Sequence, residues 1–112
     1  MSNNILAPHI KGTTWYGMVC TITEDDGSPK NLTGVTAIST FRKNHNSAIA
    51  LEFKTSDASL TIPNPIDGKI YYNERFIDIA EAHYIFDLFI TTSDGKVDKA
   101  GCGIFPIVLC ND

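Results

Sequence analysis

Short stretches in which apolar and polar residues alternate, separated by turn residues, recur along most of the chain. An alternation with a period of two is typical of strands that bury one face. The stretches predict strands at about 14–23, 35–43, 48–54, 60–62, 69–72, 84–92 and 102–109. Residues 74–83 are the one place where a short turn of helix competes with the extended conformation.

The alternation also predicts which side chains point inward. In the strand at 84–92 the inward set is Tyr84, Phe86, Leu88 and Ile90. In the strand at 14–23 the inward set is Tyr16, Met18, Cys20 and Ile22. Trp15 and Phe89 fall on the opposite faces, where they are either covered by the N-terminal segment and loops or contact a partner. We expect Tyr84 to be either an inward aromatic or a tyrosine corner, in which the hydroxyl bonds to the backbone upstream.

The residue inventory favours sheet over helix. Ile, Val and Thr number 14, 4 and 11, whereas there are only 4 Glu and no Gln, and branching at Cβ suits a pleated surface. Asp-Gly pairs at 26–27, 67–68 and 94–95 supply tight turns. The sequence therefore predicts an all-β fold, an antiparallel immunoglobulin-like β-sandwich of about seven strands. We expect one domain at 13–112 and a flexible N-terminal arm at 1–12, with Leu32 buried although it stands in a polar turn.

Charge and hydropathy argue against two classes of partner. The net charge is −4, from 9 Lys and Arg against 13 Asp and Glu, and the longest adjacent basic pair is Arg42-Lys43. Binding to nucleic acid needs clustered cations that neutralise phosphates. No apolar run approaches the roughly 20 residues that span a bilayer. We therefore expect no nucleic-acid and no membrane partner.

The residues that most often carry chemistry are not arranged for it. His9, His45 and His83 lack the spacing of a metal site. The acidic run at 24–26 is interpreted as a solvated turn, since an acid–base pair or a calcium loop needs further carboxylates at set positions. No nucleophile elbow, phosphate-binding loop or dinucleotide fingerprint is present. We predict no catalytic, cofactor-binding or metal-binding residues, no cofactor and no enzymatic activity.

Three cysteines stand on apolar stretches, at Cys20, Cys102 and Cys110. We expect reduced thiols in or near the core. The alternative is a disulfide between Cys20 and one of the other two, because the sequence does not show which side chains meet.

A series of short motifs resembles, in order and spacing, the N-terminal immunoglobulin-like domain of baseplate upper proteins from tailed phages and prophages. The motifs are Gly-Thr-Thr-Trp at 12–15, Glu-Asp-Asp-Gly-Ser-Pro at 24–29, Asn-Leu-Thr-Gly at 31–34, Asp-Gly-Lys-Ile at 67–70, Tyr-Ile-Phe-Asp-Leu at 84–88, Asp-Gly-Lys at 94–96 and Gly-Ile at 103–104. They cover about residues 12–109. That family commonly has Asp where this chain has Asn31.

The resemblance implies a virion structural protein that joins tail, baseplate or fibre components and performs no chemistry. Its expected partners are other phage structural proteins and further copies of itself, and its expected location is the virion after synthesis in the host cytoplasm. The alternative is a carbohydrate-binding or adhesin-like immunoglobulin-type module, in which Trp15, Tyr71 or Tyr72 stacks on sugar rings.

Overall fold

The computed structural model describes residues 4–109, and nearly all of its regular secondary structure is strand, which confirms the all-β prediction. Its strands are β1 Asn4–Ile5, β2 His9–Ile10, β3 Thr13–Trp15, β4 Met18–Thr21, β5 Thr36–Arg42, β6 Leu51–Lys54, β7 Leu60–Thr61, β8 Lys69–Tyr72, β9 Arg75–Ile77, β10 Ala82–Thr91 and β11 Val97–Val108. Within the described part, the two helices are three-residue 3-10 turns, Thr55–Asp57 and Pro65–Asp67. The prediction of about seven strands is too low, because several predicted strands are divided and short pairings are added.

A large curled sheet has the order β1-β11-β10-β5-β6, with β2 also paired to β11. The long strand β10 lies in its middle, antiparallel to both β5 and β11. The predicted inward set is confirmed, since Tyr84, Phe86, Leu88 and Ile90 are all buried. Because its buried and outward side chains alternate regularly, the inward face of this strand could be predicted from the sequence.

The segment that was expected to form an arm takes part in this sheet from residue 4 onward. Asn4 and Ile5 pair with β11 in parallel, and His9 and Ile10 pair with β11 further along. Pro8 separates the two short strands, because proline has no N–H to donate to a ladder. Residues 4–10 are therefore an edge of the main sheet, and the remainder of the expected arm, residues 1–3, lies outside the described residues.

Two smaller sheets cover the inner face of the main sheet. In one of them β4 pairs with β8 and β8 with β7, and in the other β3 pairs with β9. Because β3 and β4 are consecutive in the chain, and β8 and β9 also are, these pairings form one antiparallel ladder with an interruption. Residues 16–17 interrupt one side of it and residues 73–74 the other.

The interruption at Gly17 reverses the inward and outward assignment within the first predicted strand. Gly17 has φ +86°, and a Cβ added there would lie 2.0 Å from the carbonyl oxygen of Tyr72, so only glycine fits this approach. Met18 and Cys20 pack against the core as predicted, but Trp15 packs inward as well and Tyr16 is 81% exposed. The predictions that Tyr16 points inward and Trp15 outward are therefore wrong.

The core between the layers contains a cluster of aromatic rings in mutual contact. The ring of Trp15 lies 5.1 Å from that of Phe105 and 5.7 Å from that of Phe53, measured between centroids. The hydroxyl of Tyr72, on β8, donates a hydrogen bond of 2.8 Å to the hydroxyl of Ser39, on β5. This bond joins the two layers and satisfies two buried hydroxyl groups at once. Leu32 is also buried, as predicted.

The turn chemistry follows the sequence closely. Thr92 and Lys96 close the hairpin between β10 and β11 around the predicted turn at 94–95. The hydroxyl of Tyr84 donates to the carbonyl oxygen of Ala80 at 2.6 Å, so of the two alternatives for Tyr84 the one with a hydrogen bond to the backbone upstream is observed. Residues 75–77 form a strand and 78–81 form no helix, so the extended alternative for 74–83 is the correct one.

Candidate docking surfaces

The outer face of the main sheet carries two rows of apolar side chains. We call the five residues Ile5, Ile38, Ile85, Phe89 and Ile104 the docking face. Ile85 is opposite Ile104, which is in register with Ile5, and Phe89 is opposite Ile38. Ile5 is 76% and Ile38 38% exposed. The docking face thus presents apolar surface to the outside on four adjacent strands.

A paired charge lies between the two rows of the docking face. Asp87 is on the same outer face of β10, and its Oδ1 atom lies 2.9 Å from the Nζ atom of Lys99. The hydrogen bond to Asp87 raises the pKa of Lys99, which keeps the amine charged. Because the two charges neutralise each other, covering them leaves no unpaired charge between the rows, which is less costly than burying a single ion.

The interrupted ladder produces a second surface feature, on the outer face of the smaller sheets. An open depression of about 540 Å³ is lined by Tyr16, Tyr71, Tyr72, Asn73 and Glu74. We call it the tyrosine depression. Tyr71 is opposite Val19, which is 48% exposed, so the depression continues into a partly apolar surface.

Several groups in the tyrosine depression have no partner in the described part of the chain. The hydroxyls of Tyr16 and Tyr71 make no hydrogen bond there, and the Glu74 carboxylate makes neither a hydrogen bond nor an ion pair. The guanidinium of the neighbouring Arg75 does not pair with the Glu74 carboxylate. Its guanidinium carbon lies 4.1 Å from the Phe53 ring centroid, on the opposite side of the sheet, and it donates to the Glu52 carbonyl oxygen.

The three aromatic residues that the carbohydrate-binding alternative invokes lie on different faces of the fold. Trp15 packs against the core, and Tyr72 is only 3% exposed. Of the three, Tyr71 alone has its side chain on the outer face, where Tyr16 joins it as a lining residue of the tyrosine depression. Tyr72 is therefore too buried to stack on a sugar, and the Trp15 ring is engaged with core rings.

The histidines and the carboxylates of the acidic turn either form hydrogen bonds with residues nearby in the chain or are exposed. His9 Nε2 lies 3.0 Å from the Thr13 carbonyl oxygen, whereas His45 and His83 are exposed in separate parts of the chain. In the acidic turn, Asp26 accepts hydrogen bonds from the Ser28 hydroxyl and N–H, which lower the pKa of that carboxyl. Within residues 4–109 no group of three His, Cys, Asp or Glu side chains is placed to hold a metal ion.

Cys20 is a free thiol that is partly buried beside Tyr72. Burial raises the pKa of the Cys20 thiol, while a hydrogen bond with Tyr72 acts in the opposite direction. A thiol with a raised pKa is a weak nucleophile at neutral pH. Cys102 lies on the outer side of β11, opposite Asp87, and Cys110 lies outside the described residues.

The sequence contained a signal for the tyrosine depression that the alternation pattern concealed. An isolated glycine within a strand pattern indicates a bulge or a close backbone approach, and Gly17 is such a residue. The matching interruption at Asn73 and Glu74 had no comparable signal.

The described residues contain no helix that is long and apolar enough to cross a membrane. Comparisons of the chain with protein-family models, with curated proteins and with solved structures found no match in any of the three.

Proposed function

We propose that the protein is a non-enzymatic connector or accessory module of a phage or prophage tail, baseplate or fibre, acting through protein–protein contacts. The observation that carries the proposal is the docking face, with its two apolar rows around a neutralised Asp87–Lys99 pair. Apolar patches that remain exposed on a folded chain are typical of interaction sites. A centre of apolar side chains with few unpaired charges is also typical of the buried part of an interface.

The fold that we propose is an immunoglobulin-like sandwich. Three observations support it. The order β11-β10-β5 with β1 and β2 parallel at the edge matches the strand arrangement of such a layer, and β4-β8-β7 matches the facing layer. The Tyr84 hydroxyl bonds to the backbone four residues upstream, at the start of the central strand, as in a tyrosine corner.

The partner that fits the docking face is another structural protein of the same assembly, together with further copies of this chain. An immunoglobulin-like sandwich offers broad sheet faces and strand edges, and β6 and the β1–β2 segment are the edges of the main sheet here. An edge can accept a strand from a neighbour. The location that follows from the proposal is the virion.

The second candidate function is a carbohydrate-binding module. It rests on Tyr16 and Tyr71 alone, since the other rings named for it face inward. The connector proposal draws on a larger surface, formed by four strands, and we therefore prefer it.

Incorporation into particles tests the proposal. A tagged chain is expressed in the phage-producing host, intact particles are purified by density gradient, and their proteins are identified by mass spectrometry. We expect the chain to copurify with tail, baseplate or fibre proteins at a constant ratio. The double variant Ile38→Asp/Phe89→Asp places two charges on the docking face and is expected to abolish incorporation.

A matched control separates docking from general surface damage. Ile66 is 65% exposed in the 3-10 turn Pro65–Asp67, away from the docking face. Ile66→Asp is expected to be incorporated normally, and melting curves show whether each variant is folded. The absence of the wild-type chain from purified particles would overturn the proposal, as would equal incorporation of the double variant.

A further inference from the structure

We propose that the tyrosine depression is a socket for a cationic side chain, an arginine, on the protein partner. The inference rests on the proposed function, because it assigns chemistry to a contact of the connector with another protein. It concerns the outer face of the smaller sheets, opposite to the docking face.

The composition of the depression supports a cation more strongly than a neutral ligand. Its lining includes one carboxylate, from Glu74, two outward tyrosine rings and no cationic side chain. A guanidinium placed over a tyrosine ring gains cation–π attraction. A carboxylate nearby adds a charge-assisted hydrogen bond. The chain as a whole is also negatively charged, with a net charge of −4.

The hydrogen bonding of the polar groups in the depression supports the same conclusion. The Glu74 carboxylate and the hydroxyls of Tyr16 and Tyr71 have no hydrogen-bond or ion-pair partner in the described chain. By contrast the Asn73 side-chain amide already donates to the Ala58 carbonyl oxygen. The depression therefore offers more acceptors than donors, which suits an arginine, since arginine has five N–H donors and no acceptor.

The inner side of the same sheet shows an arginine on an aromatic ring. There the guanidinium of Arg75 lies over Phe53 and donates to a backbone carbonyl oxygen. Arg75 thus has partners on the inner face, whereas on the outer face a carboxylate and two tyrosine rings have none among the described residues. Arginine and tyrosine are also enriched among the residues that contribute most to protein interfaces.

Titration with a short peptide tests the socket without knowledge of the partner. The probe is N-acetyl-Gly-Arg-Gly-amide, and its reference is the same peptide with neutral citrulline in place of arginine. Ring resonances of the four tyrosines are followed by nuclear magnetic resonance. Tyr84 is buried and does not line the depression, so it serves as the internal reference.

We expect the arginine peptide to shift the Tyr16 and Tyr71 signals in a saturable way, and to leave the Tyr84 signal unchanged. Glu74→Gln is expected to weaken binding about fivefold, and added salt to weaken it further, because an exposed ion pair is screened. Glu81→Gln removes an exposed carboxylate that does not line the depression and is expected to have no effect. Both variants replace exposed groups, and their melting temperatures verify folding.

Three results would overturn the socket. They are equal shifts with the citrulline peptide, unchanged binding by Glu74→Gln, and shifts caused by a neutral oligosaccharide such as cellotetraose when the arginine peptide causes none. The last result would favour the carbohydrate-binding candidate. A failed peptide titration leaves the incorporation experiment unaffected, because that experiment depends on Ile38 and Phe89, so failure of the socket and failure of the connector proposal are distinguishable.

Discussion

The two layers of the molecule are built from strands of different regularity. In the main sheet β10 runs for ten residues and, from Tyr84 onward, alternates strictly between buried and half-buried side chains. In the facing layer the ladder of β3 and β4 with β9 and β8 is interrupted on both sides. The regular layer supplies an outer face with two apolar rows, and the interrupted layer supplies a depression whose tyrosine hydroxyls and carboxylate have no partner among the described residues.

The difference shows how one residue determines what a strand presents to solvent. Because the side-chain period of a strand is two, a break in the extended conformation can shift the side chains that follow it to the other face. At Gly17 this shift turns Trp15 into the core and Tyr16 out of it. The exposed tyrosine is thus a consequence of the interruption and not of the hydrophobic pattern.

The largest expected effect comes from adding a side chain at Gly17, where the backbone of Tyr72 comes close. Gly17→Ala places a Cβ 2.0 Å from the Tyr72 carbonyl oxygen at φ +86° and is expected to lower the free energy of unfolding by about 3 kcal/mol or more. Gly27 has φ +87° with no atom within 4 Å of its added Cβ. Gly27→Ala is therefore the control for backbone strain alone, at about 1 kcal/mol. Urea unfolding measures both, and equal losses would contradict a close approach at Gly17.

A smaller effect is expected from the hydrogen bond that joins the layers. Tyr72→Phe leaves the buried Ser39 hydroxyl without its donor and is expected to cost about 1–3 kcal/mol. Tyr72→Phe/Ser39→Ala removes both hydroxyls, and we expect it to be less destabilised than the sum of the two single variants. Additive losses in this double-mutant cycle would show that the two hydroxyls do not interact.

The same residue predicts a loss of stability at alkaline pH. Burial raises the pKa of Tyr72 above the ordinary value of 10.0. Above about pH 10 the folded chain therefore binds more protons than the unfolded chain, and its free energy of unfolding falls as the pH rises. The contribution of this one group approaches about 1.4 kcal/mol per pH unit. Urea unfolding at several pH values should give a shallower fall for Tyr72→Phe than for the wild type, and identical slopes would contradict the burial of the phenol.

The smallest expected effect concerns the charged pair on the regular layer. Lys99→Gln removes the partner of Asp87 and is expected to lower Tm slightly in dilute buffer, with a difference that shrinks as salt is added. Lys96→Gln is the control, because the Lys96–Asp94 separation is 3.8 Å and both groups are well exposed. A larger change for Lys96→Gln would mean that the Asp87–Lys99 pair does not stabilise the sheet.

The sequence allowed the regular layer to be predicted better than the interrupted one. Alternation placed Phe86 and Leu88 correctly, and the chemistry of the Asp-Gly turns located the hairpin between β10 and β11. It misplaced Trp15 because a period of two carries no information about a break in the strand at Gly17. The pairing of residues 4–10 with β11 was also missed, since two-residue strands are too short to show a period.

The surfaces were harder to predict than the core. Ile85 and Ile104 belong to separate strands, and only the register between β10 and β11 brings them together on one face. Tyr16 and Glu74 are 58 positions apart in the chain and become neighbours through two interruptions that face each other. Such proximity depends on tertiary pairing and is not encoded in local pattern.

The most direct test of the exchange of faces at Gly17 uses the single tryptophan of the chain. Trp15 packs against Phe53, Tyr72 and Phe105, so its fluorescence reports this site alone. We predict that emission from the native protein is blue-shifted from that of the urea-unfolded chain, and that acrylamide quenches it much more slowly. Native emission and quenching equal to those of the unfolded chain would place Trp15 outside the core and contradict the shift at Gly17.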